Sequence, residues 1–103
     1  MKYLPVVLIA ATVAVSPLAT HAGDAAAGKA KTAVCMGCHG PDGNSTNPIW
    51  PKLAGQHAAY LAKALKDFKS GARKNPSMNA MVARLTDADI ENIAAYYASQ
   101  KQR

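Results

Sequence analysis

Cys35-Met36-Gly37-Cys38-His39 constrains this chain more than any other stretch. Two cysteines three apart, followed at once by a histidine, form the C-x-x-C-H pattern for covalent haem attachment. Each position has a chemical reason. Two thiolates on one tight turn add to the two vinyl groups on one edge of a porphyrin. The next residue then projects beneath the ring, where its imidazole reaches the iron as proximal ligand. Gly37 is small and Met36 unbranched, which leaves the turn free to form against a flat cofactor.

That chemistry requires an exported chain, and the first residues read as an export signal. Lys2 supplies a short basic start, Leu4 to Val15 is mostly apolar, Pro17 breaks the run, and Thr20-His21-Ala22 ends in small residues suited to a signal peptidase. The apolar run falls short of the about 20 residues needed to span a bilayer. Pro5 and the Thr-His-Ala ending also argue against a retained anchor. The expected organisation is a signal peptide over 1–22, cleaved after Ala22, and one domain over 23–103, delivered to the periplasm. A domain of 81 residues is near the lower limit for building its own core. A buried porphyrin would give its helices a large apolar surface to pack around.

Two cysteines in an exported chain ordinarily suggest a disulfide. A bridge between Cys35 and Cys38 would close a very short loop and restrain little of the unfolded chain, so haem attachment explains the pair better. Without Lys2, eleven Lys+Arg face six Asp+Glu, a net +5 that two haem propionates would lower to about +3. A mildly basic surface suits an acidic docking partner or weak attraction to anionic membranes. The basic residues are scattered without aromatic interleaving, which speaks against nucleic-acid binding.

Asp24 is a good N-cap, and Ala25 to about Val34 reads as an alanine-rich helix interrupted by Gly28. Gly28 costs roughly 1 kcal/mol relative to alanine there. It marks either a close backbone contact or a tolerated weak spot. Gly40 to Ser45 is dense in turn formers, and Pro48 and Pro51 keep the chain irregular beyond it. A loop this long suggests that it covers one haem face, with Trp50 on the porphyrin or in the core. A helix from about His57 to Ser70 turns Leu61, Ala64, Leu65 and Phe68 inward and ends at Gly71. Arg73 to Pro76 is a polar loop delivering Met78 to Met81. A last helix starts at Thr86, buries Ile90, Ile93, Ala94 and Tyr97, and has Lys101 and Arg103 at its negative end. No segment alternates like a strand, so the chain is all-α with long loops.

With His39 on one side of the iron, the other side has four candidates: Met78, Met81, Met36 and His57. Met36 lies too close to His39 to reach round the ring, and His57 reads as a solvated helix start. Met78 stands early in a proline-containing segment free of helical constraint, while Met81 looks buried under the last helix. Met78 is the favoured ligand.

The sequence resembles the class I cytochromes c, most closely single-haem relatives of the cytochrome c4/c553 group. The similarity runs from Gly23 to Gln100. It includes Gly-Asp-Ala-Ala-Ala-Gly at 23–28, the segment 35–45, Pro-Lys-Leu-Ala-Gly-Gln-His at 51–57, Tyr60-Leu61, the run 67–75 and Ala95-Tyr96-Tyr97. The resemblance implies a small cytochrome c fold, three to four helices and long loops around one haem c attached through Cys35 and Cys38. It implies iron ligated by His39 and Met78. It also implies that the Pro51 carbonyl fixes the proximal imidazole and that Gly28 faces Tyr96 or Tyr97. The c4 proteins carry two such domains, whereas this chain has one.

Residues and resemblance together predict a periplasmic one-electron carrier, with no small-molecule substrate and no enzyme activity, serving a redox protein donor and acceptor that are membrane-bound complexes with acidic docking surfaces. Lys29, Lys52 and Lys74 are candidates for steering such partners. The alternative is a haem enzyme or sensor with an open iron position. A dithiol oxidoreductase would want a βαβ pattern, which is missing, and a zinc site from Cys35, Cys38, His39 and His57 is hampered by adjacent ligands.

Overall fold

The computed structural model describes residues 2–12 and 23–103. Residues 2–12 are exposed without regular secondary structure, and the expected cleavage site after Ala22 lies outside the described residues. Among those described, five helices and no strand occur: α1 (Ala25–Lys29), α2 (Ala33–His39), α3 (Ala58–Ser70), α4 (Pro76–Val82) and α5 (Asp87–Ala98). The sequence reading expects three to four helices, and two local effects account for the difference.

The first is a break in the expected helix from Ala25 to Val34. The fully buried Thr32 donates its hydroxyl to the Lys29 carbonyl at 2.8 Å, and its amide goes to the same oxygen at 3.2 Å. That carbonyl is the one a continuous helix would offer to residue 33, so the hydroxyl competes with the ladder. A new helix starts when the Thr32 carbonyl accepts from the amides of Cys35 and Met36. The second effect lies at Asn75-Pro76, expected to be loop. Asn75 accepts the Met78 amide at 3.0 Å and Pro76 takes the first helical position, so this is a capped helix start.

The core forms where α1 and α3 pack on α5, while α4 packs on α3. From α5 come Ile90, Ile93, Ala94 and Tyr97, and from α3 come Leu61 and Ala62. Of the inward stripe expected on α3, only Leu61 is buried; Ala64, Leu65 and Phe68 are half-buried. The start of α5 is a complete capping box, with the Asp89 amide on Thr86 Oγ1 and the Thr86 amide on Asp89 Oδ2. Arg103 does not serve the α5 dipole as expected, because it pairs with Asp42.

The α1–α5 crossing is made backbone to backbone. A Cβ on Gly28 would sit 1.9 Å from the Asn92 carbonyl oxygen. The close contact is therefore real, but it falls on Asn92 and Ile93, about one turn before Tyr96 and Tyr97. The Asn92 side chain reinforces it by accepting the Asp24 amide at 2.8 Å. Replacing Gly28 by alanine should destabilise the haem-loaded protein by about 2 kcal/mol, despite alanine's intrinsic advantage in helices. Denaturant unfolding measures this, and unchanged stability would mean that the helices do not touch there.

Candidate haem site

The short helix α2 carries three of the expected site residues. The sequence reading places them on a tight turn; they lie instead in a helix that ends at Gly40, whose φ of 83° only glycine adopts easily and whose amide returns to the Met36 carbonyl. Spacings of three and four residues put Cys35, Cys38 and His39 on one side of that helix. Both cysteines are free and half-buried. Burial pushes the Cys35 thiol pKa up, and the neighbouring Tyr97 hydroxyl partly offsets this. Tyr97 is raised in turn, chiefly by its own burial. Its hydroxyl faces Cys35 and Thr32, and completes no hydrogen bond among the described residues. Such an orphan is costly in a finished core, and it lies beside the first attachment cysteine.

His39 is 6% exposed, and its Nδ1 lies 2.8 Å from the Pro51 carbonyl oxygen. A carbonyl only accepts, so Nδ1 carries the proton and the Nε2 lone pair is left for a metal. The loop bearing Pro51 is fixed from several sides. The Gly43 carbonyl accepts from the Leu53 and Ala54 amides, the Gly55 amide reaches the Tyr97 carbonyl, and the Tyr96 hydroxyl donates to Pro41. Asn44 binds the last residues both ways, donating to the Lys101 carbonyl at 2.9 Å and accepting the Arg103 amide at 2.8 Å. Trp50 is not a core residue. It is 38% exposed and lines a cleft of about 240 Å³ with Met36 and Cys38.

Met78 stands on α4, so it is not free of helical constraint as the sequence suggests; it is half-buried in the third helical position. Met81 is 47% exposed instead of buried under α5. It lines a different cleft, of about 390 Å³, with Lys31, Val34, Arg84 and Leu85. His57 is exposed at the start of α3. No group of three or more His, Cys, Asp or Glu is placed to hold a metal ion among the described residues, which removes the four-ligand zinc arrangement. The structure thus joins His39 to Pro51 and carries both thiols on the same short helix as that imidazole, while Met78 belongs to another helix. Two thiols, one imidazole lone pair and a half-buried thioether fit a covalently held haem. The sequence reading missed Asn44, Asn75 and Asn79, which act through backbone hydrogen bonds and leave no pattern beyond Asn-Pro at 75–76.

The chain belongs to the cytochrome c family, whose model matches residues 25–101. It is 53% identical over 90 residues to cytochrome c4 of Pseudomonas aeruginosa, covering 87% of this chain and 45% of that protein. It is 48% identical over 83 residues to cytochrome c-554(548) of Halomonas halodenitrificans, covering 78% of this chain and 100% of that protein. Among solved structures, reduced recombinant cytochrome c4 from Pseudomonas stutzeri superposes with a TM-score of 0.76 at 50% identity, over 80% of this chain and 48% of that one. The chain spans about half the length of the c4 relatives it matches. Membership of the family implies one covalently bound haem c with its iron.

Asp42 ties this loop to the end of the chain. Hydrogen bonds from Asn44 and then Arg103 hold its pKa down to about 2, from 3.8 for a free carboxyl. A depressed carboxylate contributes stability above its unfolded pKa and loses it as pH falls through the folded one. The stability difference between the wild-type protein and Asp42→Asn should therefore be constant above about pH 4 and shrink as pH falls from 3.8 toward 2. Urea unfolding of both proteins across that range checks it.

Proposed function

We propose that this protein is a one-electron carrier between redox proteins, with haem iron ligated by His39 and Met78. The observation that carries the reading is the hydrogen bond from His39 Nδ1 to the Pro51 carbonyl, which leaves Nε2 free as a ligand atom on the residue that directly follows Cys38. The haem supplies the couple between ferrous and ferric iron. The chain's own work is to hold it. Cys35 and Cys38 would hold the haem covalently, and the Pro51 carbonyl would fix the imidazole plane and raise its basicity. Met78 favours the ferrous state as a thioether ligand, and its partial burial makes it a better candidate than the exposed Met81. With both His39 and Met78 bound, the iron would have no position left for substrate.

We further infer that residues 1–22 form a cleaved signal peptide and that residues 23–103 act in the periplasm. The Lys2 to Ala22 pattern supports this, and among the described residues no helix is long and apolar enough to cross a membrane. Partners with acidic docking surfaces suit the net positive charge. Lys29 and Lys74 are exposed and enter no ion pair among the described residues, whereas the Lys52 ammonium is held by the Arg103 carbonyl. Two relatives of lower identity bear the names thiosulfate dehydrogenase electron acceptor and cytochrome subunit of sulfide dehydrogenase. These names support a shuttle or a held subunit in the same electron-passing role.

The test is the optical spectrum of the haem-loaded protein. The weak iron–sulfur charge-transfer band of the ferric form should vanish in Met78→Leu and persist in Met81→Leu. A high-spin ferric spectrum with carbon monoxide binding to the reduced wild-type protein would instead establish an open iron position, as in an enzyme or sensor. Neutralising Lys29 and Lys74 together should slow reduction by an acidic partner and flatten the salt dependence of the rate. An unchanged slope would remove docking from those two residues.

A further inference from the structure

Asn79 follows Met78 directly on α4, and every hydrogen-bonding group of its side chain is in use. Its Oδ1 accepts the Asn75 amide at 3.0 Å. Its Nδ2 donates to the Phe68 carbonyl at 2.6 Å and to the Arg73 carbonyl at 3.0 Å. These partners belong to three different segments. Phe68 lies in the last turn of α3, whose carbonyls have no partner within the helix. The Gly71 amide also reaches that oxygen, at a long 3.4 Å. Arg73 lies in the loop between α3 and α4, and Asn75 is the residue that caps α4. One amide therefore closes the end of one helix, the loop, and the start of the next.

Asn75 completes the arrangement from the other side. It accepts the Met78 amide through Oδ1 at 3.0 Å, and its carbonyl accepts the Asn79 amide at 2.8 Å. The Arg73 amide reaches back to the Asp67 carbonyl, and the Arg73 guanidinium lies 4.6 Å from the Phe68 ring centroid. The position of Met78 is thus referred to α3 through a chain of backbone bonds that passes through Asn79. Among the helices, α4 packs chiefly on α3, and Val82 is its one buried residue among those described.

We propose that Asn79 is a positioning residue that holds Met78 at the iron by tying the end of α3, the 71–75 loop and the start of α4 into one unit. The inference rests on the His39/Met78 ligation proposed above. Asparagine suits this role for a stated reason: it offers two donors and one acceptor on a short stem. Aspartate keeps the shape and the acceptor but faces the Phe68 and Arg73 carbonyls with oxygens that cannot donate. Alanine removes all three bonds. A residue that served only the helix would behave in the opposite way, since alanine is the best helix former and an acidic residue near a helix start is favourable.

The experiment uses the full haem-loaded protein in three variants, Asn79→Ala, Asn79→Asp and Asn79→Ser, with Met78→Leu alongside. Three quantities are read: the ferric iron–sulfur band, the rate at which added imidazole displaces the methionine, and the rate of tryptic cleavage at Arg73 and Lys74. Alanine and aspartate should weaken the band and speed both imidazole capture and cleavage by roughly tenfold or more, the effect of losing at least one net hydrogen bond. Serine, which retains a single donor, should fall between them and the wild-type protein. It also keeps the test decisive if either stronger variant fails to take up haem. A wild-type band and imidazole rate in all variants that load would overturn the proposal. A band that survives Met78→Leu would overturn the ligation itself, an outcome distinct from Asn79 variants that behave as wild type while Met78→Leu loses the band.

Discussion

Tyr97 joins the helical core to the haem side of the molecule, and the remaining structure depends on how it does so. Its ring is 1% exposed among the residues of α5. One edge lies 2.7 Å from where a Cβ on Gly43 would stand, so the loop crosses the ring at a glycine held at φ 81°. Its carbonyl accepts the Gly55 amide, and its hydroxyl faces Cys35. A single buried aromatic thus sets the distance between α5, the loop carrying Pro51 and the helix carrying both cysteines. Any change in the ring's depth would move the proximal imidazole and the attachment thiols together.

This arrangement also answers a problem of size. A domain of this length buries too little surface to be generously stable on its own. The buried apolar residues here are few, and several belong to the single α5 stripe. Helix α2 packs on no other helix to the extent that α1, α3 and α4 do. Ile49 and Trp50 remain exposed on the long loop. A haem held by Cys35 and Cys38 would give α2 and this loop an apolar partner, so that binding the cofactor and completing the fold become one event. The α1–α5 crossing, closed by Gly28 against Asn92, is built from backbone contact and the Asp24–Asn92 hydrogen bond, without Cys35, Cys38 or His39.

The parts of the fold and site that were legible in the sequence are those written in side-chain periodicity or in motif chemistry. The α5 stripe and its capping box, the end of α3 at Gly71 and the C-x-x-C-H segment all have such signatures. What was not legible depends on competition between nearly equal backbone options. Thr32 breaks a helix because its hydroxyl finds the Lys29 carbonyl while buried, and nothing in the local composition distinguishes that from a continuing helix. The proline at 76 suggests a loop to a reader looking for irregularity, yet after an asparagine cap it is the natural first residue of a helix. Met81 has the composition of a core residue and becomes a cleft residue because α4 ends at Val82, which takes the buried position instead. Local side-chain hydrogen bonds decided the first two, at Thr32 and Asn75, and burial of Val82 decided the third.

The two sides of the proposed iron site differ in how firmly the chain holds them. The proximal side is over-determined: His39 is bonded to Pro51, and the Pro51 loop is tied to Tyr96, Tyr97 and the last residues through contacts far apart in sequence. The methionine side rests on a seven-residue helix whose hydrogen bonds to the rest of the molecule are short-range and partly exposed. Local opening is cheapest where few buried contacts and many exposed backbone bonds occur together. With His39 and Met78 as the proposed ligands, local opening would release the thioether before the imidazole. On that reading the rigid proximal side would preserve the geometry needed for electron exchange, and the methionine segment would be where a partner or a mutation adjusts the potential without unfolding the domain.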